Sequence, residues 1–99
     1  MKIRILTSAV EDLRDGREFY DVQELGVGDY FYDSLFSDID SLALYAGIHR
    51  QFWGYHRLLS KRFPYAIYYK MDSPDEVLVY RVLDCRQDPR RIQRALENE

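Results

Sequence analysis

The feature that most restricts the fold lies in the last third of the chain. Glu76-Val77-Leu78-Val79-Tyr80-Arg81-Val82-Leu83 is nearly all apolar and rich in branched side chains. Such a run reads as a central strand, covered on both faces, rather than as a strand with one wet side. Phe63-Pro64-Tyr65-Ala66-Ile67-Tyr68-Tyr69 is a second strand, with Pro64 fitting only at its beginning or at an edge. Asp72-Ser73-Pro74-Asp75 between them is a turn by composition. Tyr55-His56-Arg57-Leu58-Leu59 is a further candidate strand, so Tyr55–Leu83 is expected to form an antiparallel meander.

The first half supplies the cover. Lys2-Ile3-Arg4-Ile5-Leu6 alternates as a short strand that joins the same sheet. Ser8-x-x-Glu11 matches a capping box, which starts a helix over about Ala9–Gln23, with Val10, Leu13 and Tyr20 near one face. Gly16 weakens its middle by ~1 kcal/mol relative to Ala. Leu25–Asp29 is a turn, and Asp29 is expected to cap a second helix. Phe31, Leu35, Ile39, Leu42 and Ala46 then form a helical stripe that Gly47 ends, while Asp33, Asp38 and Asp40 mark the wet side. The two helices make a hairpin. Ile48–Gly54 is a connection whose Phe52 and Trp53 either close the core or anchor a partner. Asp88-Pro89 starts a short last helix. The expected fold class is α+β: an N-terminal strand, an α-helical hairpin, a three-stranded antiparallel meander completing one sheet, and a short C-terminal helix.

Length and charge set the limits of function. Ninety-nine residues fit one domain, 1–99, with one modest core and little room for a deep cleft. The net charge of −3 is uneven: residues 1–48 carry ten acids and four bases, and residues 49–99 seven acids and ten bases. One acidic and one basic face are implied, and the acidic total argues against a general DNA coater. Cys85 is alone, so no internal disulfide forms; it is expected to be a small buried hydrophobe of a strand. The thiol usage, and the lack of an apolar run or leader pattern, suit a cytoplasmic protein that does not enter a membrane. Nine tyrosines are many for this length. Ala66, Tyr68 and Lys70 share one strand face and Tyr65, Ile67 and Tyr69 the other. The hairpin can cover only one, so several tyrosines are expected on an open or partner-covered surface, which also leaves room for a homodimer.

The candidate site is the basic set at the sheet's end: Arg57, Lys61, Arg62, Arg81, Arg86, Arg90, Arg91 and Arg94. Arg90 and Arg91 fall in the first turn of the last helix, where the macrodipole disfavours cations. An anion held there, phosphate or a partner's carboxylate, would explain them; a solvated surface with Asp84, Asp88 and Glu97 as ion-pair partners is the plainer reading. His49 and His56 could act as bases, but a satisfied structural or simply exposed histidine is the plainer reading. No metal-ligand spacing, glycine-rich phosphate loop or cofactor motif is present.

Two segments carry a resemblance: Arg57-Leu58-Leu59-Ser60-Lys61-Arg62-Phe63-Pro64-Tyr65-Ala66-Ile67-Tyr68-Tyr69 and Val82-Leu83-Asp84-Cys85-Arg86-Gln87-Asp88-Pro89. With the N-terminal strand and acidic hairpin before them, they resemble the RelE/ParE superfamily of toxins from type II toxin–antitoxin (plasmid stabilisation) systems. The resemblance implies a β-α-α-β-β-β fold with a short last helix, and a cognate antitoxin that wraps the toxin's groove. It implies one of two activities. RelE-like members cleave mRNA on the ribosome, using a basic cluster and a tyrosine of the last helix; Arg62, Arg81 and Arg86 would serve here. ParE-like members poison DNA gyrase without chemistry of their own. The last helix has Ile92 where a tyrosine would be wanted, and Phe-Pro-Tyr with Arg-x-Asp-Pro is more ParE-like. The expected reading is a binding toxin with gyrase as target, whose target- or anion-binding residues are Arg57, Lys61, Arg62, Arg86, Arg90 and Arg91; the ribosome and mRNA are the alternative target. An orphan member that keeps only the scaffold is the third possibility.

Overall fold

A computed structural model describes all 99 residues. In chain order the elements are β1 (Lys2–Ile5), α1 (Thr7–Gln23), α2 (Val27–Asp40), α3 (Leu42–Tyr45), β2 (Gln51–Phe52), β3 (Tyr55–Leu59), β4 (Tyr65–Ser73), β5 (Glu76–Asp84) and α4 (Pro89–Glu97). They form one sheet of order β1-β5-β4-β3-β2. The expected meander is β3-β4-β5, with Leu58 opposite Ile67 and Ile67 opposite Val82. β1 joins parallel to β5, Ile3 facing Val77 and Ile5 facing Val79. The apolar run of β5 is therefore an inner strand, as its composition requires. The connection Ile48–Gly54 contains a strand that its sequence did not announce. Gln51 and Phe52 pair with His56 and Tyr55, around a turn that places Trp53 and Gly54 at positive φ.

The sheet is covered on both sides. Ala9 and Leu13 of α1, and Phe31, Leu35 and Ile39 of α2, pack with Leu42 on Tyr65, Ile67, Tyr69, Val77, Val79 and Val82. On the other face, Ile92 and Leu96 of α4 pack on Tyr55, Ala66, Tyr68 and Leu83. The expectation of exposed strand tyrosines fails for that reason. Tyr68 and Tyr69 are fully buried on opposite faces, because the nine-residue α4 covers the face that the hairpin leaves bare.

The helix starts also differ from expectation. α1 begins at Thr7 with extended Leu6 as its cap residue, and Ser8 makes no capping bond. α2 begins at Val27, after Gly26 at φ 94°, and Asp29 does not cap it. The capping group comes from the preceding helix: Asp21 Oδ1 accepts the backbone N–H groups of Gly26 (3.2 Å) and Gly28 (2.8 Å). This fits a tight hairpin, in which the free N–H groups of one helix face the last turns of the other. Two glycines allow that approach. A Cβ on Gly16 would lie 2.5 Å from the Phe31 ring, and one on Gly28 would meet the carbonyl oxygen of Arg17. The stripe continues past α2 but the helix does not. It breaks at Ser41, whose hydroxyl donates to the Asp38 carbonyl at 2.6 Å, and resumes as α3. Gly47, at φ 95°, ends the helical region as its type predicts.

Two further expectations are corrected. Asp38 is buried at 6% exposure, not on the wet side. Cys85 is exposed, because β5 ends at Asp84 and the chain leaves the sheet there.

Candidate functional site

The site is built by two connections at one end of the sheet. β3 ends there, β4 starts there, and β5 leaves toward α4; Leu59 faces Ala66 and Tyr65 faces Asp84. Ser60 N–H donates to the Tyr65 carbonyl at 2.9 Å, which closes the Ser60–Pro64 turn. Cys85 N–H donates to the Pro64 carbonyl at 2.8 Å, which holds that turn beside the β5–α4 connection. Lys61, Arg62, Arg86, Arg90 and Arg91 thereby come to the same end of the molecule. Arg57 stands farther back on β3, opposite Tyr68, with its guanidinium 3.8 Å from the centre of the Phe52 ring.

These cations are not equivalent. Arg86 donates from Nε and Nη2 to Asp84 at 3.0 and 2.7 Å, and its backbone N–H donates to the same carboxylate at 2.8 Å. The Arg86 bonds hold Asp84 below the usual carboxylate range and push Arg86 above its own. Asp88 caps α4 by accepting Arg90 N–H at 2.9 Å and pairs with the Arg90 guanidinium at 3.0 Å. Arg90 holds the Asp88 carboxyl down as well. The anion that satisfies the start of α4 is thus the chain's own Asp88. No carboxylate lies within ion-pair distance of Lys61, Arg62 or Arg91. The plainer reading of the basic set holds for Arg86 and Arg90, and not for those three.

Arg81 has a different role. β1 covers β5 only as far as Val79, so the edge beyond it lacks a strand. Asp12 of α1 fills that gap. Its Oδ2 accepts Val82 N–H at 2.9 Å, and the two carboxylate oxygens take Arg81 Nε and Nη2 at 2.7 and 2.9 Å. Arg81 Nη1 also reaches Glu99 at 3.2 Å and the Ala95 carbonyl at 3.4 Å. One guanidinium joins α1, β5 and the end of α4. The bond from Asp12 raises the Arg81 pKa, while burial of the Asp12 carboxylate outweighs Arg81 and raises that group too. The structure does not bring Arg81 into the cluster with Arg62 and Arg91.

Other candidate groups are tied to the scaffold. The Tyr69 hydroxyl accepts Gly47 N–H at 2.9 Å and shares a hydrogen bond with His49 Nδ1. His56 stacks on the Tyr69 ring, and its Nδ1–H donates to the His49 carbonyl at 2.7 Å. Burial lowers the His49 pKa. Both histidines fasten the α3–β2 connection to β4. Burial, then the charge of Asp84, pushes the Tyr65 hydroxyl up to about 12. Ile92 is buried against the sheet, and α4 carries no tyrosine.

Asp38 is the residue that sequence reasoning missed. Its Oδ2 accepts the Ser60 hydroxyl at 2.7 Å and Lys61 N–H at 3.4 Å. A signal was available: Phe31, Leu35, Asp38 and Leu42 follow a 4-3-4 spacing that runs along the buried face. On the opposite flank of the hairpin, Asp15, Glu18, Phe19, Val22 and Gln23 line a shallow groove on α1, with Phe19 and Val22 exposed. An acidic, partly apolar face thus lies on α1, and the free cations lie at the sheet's end.

The arrangement is similar to a solved structure of the chromosomal ParDE TA system from P. aeruginosa. The likeness has a TM-score of 0.75 and 18% sequence identity, over 83% of this chain and 92% of that one. The likeness shows that the two chains share a fold. At the level of sequence, residues 3–89 match the ParE toxin family of type II toxin–antitoxin systems, parDE, and the chain belongs to that family. No curated protein matches the sequence.

Proposed function

We propose that residues 1–99 work as one cytoplasmic toxin unit that arrests growth by binding DNA gyrase, and that a cognate antitoxin neutralises it. No helix is long and apolar enough to cross a membrane. The observation that carries the binding reading is the state of the arginines. A nuclease would need Arg62, Arg81 and Arg86 free to stabilise charge on a phosphate in transition. Arg81 and Arg86 are each bound bidentately by a carboxylate of the chain itself. A binding toxin needs only an exposed surface, and Lys61, Arg62 and Arg91 provide one. The antitoxin fits the acidic, partly apolar groove of α1, with the basic end as its second anchor.

The test pairs an in-vitro supercoiling assay with a translation-dependent mRNA cleavage assay on the purified chain. Loss of supercoiling with intact message is the expected result. Cleaved message with unaffected gyrase overturns it. Charge reversal at Arg86 with Arg91 is expected to lower toxicity while the fold survives; unchanged toxicity at equal expression removes this end from the site.

A further inference from the structure

We propose that Asp38 is a positioning residue, which holds the Ser60–Pro64 turn in the shape that presents Lys61 and Arg62 to acidic side chains of the toxin's protein target. The proposal rests on the basic end being the target surface. The turn is pinned at three places. Asp38 takes Ser60 Oγ and Lys61 N–H at its start. Phe63 packs edge-on against Tyr20 and Phe31, with ring centres 4.9 and 5.1 Å apart. Pro64 takes Cys85 N–H at its end. Lys61 and Arg62 stand between these pins, exposed and without an ion pair. A turn fixed in this way loses little freedom on binding, so its two cations can act at low entropic cost.

The placement of Asp38 itself is unfavourable without such a role. A carboxylate in the last full turn of α2 sits at the negative end of the helix dipole. It is buried, and no arginine or lysine pairs with it. A buried carboxyl group costs energy unless hydrogen bonds satisfy it, and both bonds that its side chain accepts come from the turn. The surroundings favour a protein partner over RNA. Asp84 and Asp88 flank the free cations and neutralise Arg86 and Arg90. A polyanion backbone would meet those carboxylates at successive phosphates, whereas a few discrete carboxylates need not.

The test uses the full chain, induced without antitoxin, in four variants: Asp38→Ala, Asp38→Asn, Ser60→Ala and Arg62→Glu. Growth arrest at matched expression is the target-independent readout. Circular dichroism and amide exchange at Lys61 and Arg62 report the fold and the turn. Asp38→Ala is expected to weaken arrest by about tenfold or more, as for loss of hydrogen bonds to a charged group, and to speed exchange at Lys61 and Arg62. Asp38→Asn keeps an acceptor for Ser60 and should retain most activity. Arg62→Glu should abolish arrest with exchange unchanged, and wild-type binding to gyrase should weaken with added salt. A folded Asp38→Ala chain with full arrest, or with reduced arrest and unchanged exchange, overturns the proposal. If Asp38→Ala fails to fold, Ser60→Ala decides, since arrest and exchange both at wild-type level overturn it too. If wild type arrests growth but leaves gyrase untouched, the gyrase reading falls while the arrest series still judges Asp38. Cleavage of mRNA by wild type overturns the protein-target part.

Discussion

Two aspartates of the hairpin reach across to unfinished parts of the sheet, and they do opposite things there. Asp12 meets the open edge of β5, where it takes both a backbone N–H and the Arg81 guanidinium. Asp38 meets the β3–β4 turn, where it takes a hydroxyl and a backbone N–H and leaves the neighbouring cations alone. The first region is closed on itself: Asp12 and Arg81 answer each other, and α1, β5 and α4 are locked together. The second is fastened but unfinished, with its charge left for something else. A cation's place in a basic stretch of sequence therefore says little about its role. Whether the fold has already given it a carboxylate says more.

The largest effect should come from breaking the closed region. Arg81→Ala leaves Asp12 half-buried without its cation, and unfolding in urea should show a loss of about 3 kcal/mol. Replacing both partners with apolar residues should recover much of that loss; no recovery would mean that the pair is worth more than its desolvation. Gly16→Ala comes next. Helix propensity alone predicts a gain, but the Phe31 ring occupies the added methyl's place, so a loss of about 1–2 kcal/mol is expected in the same measurement. A gain would show that the hairpin can slide open at little cost. Third, Arg62→Ala should change stability by less than about 0.5 kcal/mol, as surface substitutions do, while growth arrest falls sharply. Equal losses of stability and toxicity would erase the contrast between the two regions. The smallest effect concerns pH. The Asp84 carboxyl is held below its ordinary value by Arg86, so its contribution is present above the unfolded pKa near 3.8 and fades as pH falls through the folded value. Because the pair is largely exposed, solvent reduces the contribution to a few tenths of a kcal/mol. Asp84→Asn should flatten the acid limb of the stability profile by that amount, and salt should do the same.

The sheet was legible because its strands carry their own pattern. Glu76–Leu83 could only be an inner strand, and Tyr65–Tyr69 shared its run of aromatic and branched residues. What stayed hidden depends on groups far apart in the chain. Asp21 caps α2 in place of Asp29 only because a tight hairpin brings α1's end to it, and Ser8 loses its capping role because the helix starts earlier. β2 is two residues long, too short to show any period. Several strand tyrosines are expected on an open or partner-covered face because a nine-residue helix gives no hint of which face it will cover. In the site, the positions of Lys61, Arg62, Arg86 and Arg90 at one end followed from the order of strands. Their division into paired and free cations did not, since each pairing depends on side-chain geometry at a turn. Asp38 could have been found, as its spacing from Leu35 and Leu42 put it on the buried face; its polar type assigned it to the surface instead.

The parallel pairing of β1 with β5 has a consequence for how the toxin comes into being. Ile3 and Ile5 are made well before their partners Val77 and Val79. Until then β1 has no strand to pair with, Asp12 has no edge to close, and the inner strand of the sheet does not exist. Contacts so distant in sequence form late and slowly in folding. The surface that bears Lys61 and Arg62 therefore has no fixed shape on a partly made chain. Between the synthesis of β1 and that of β5 lies an interval in which the sheet cannot close.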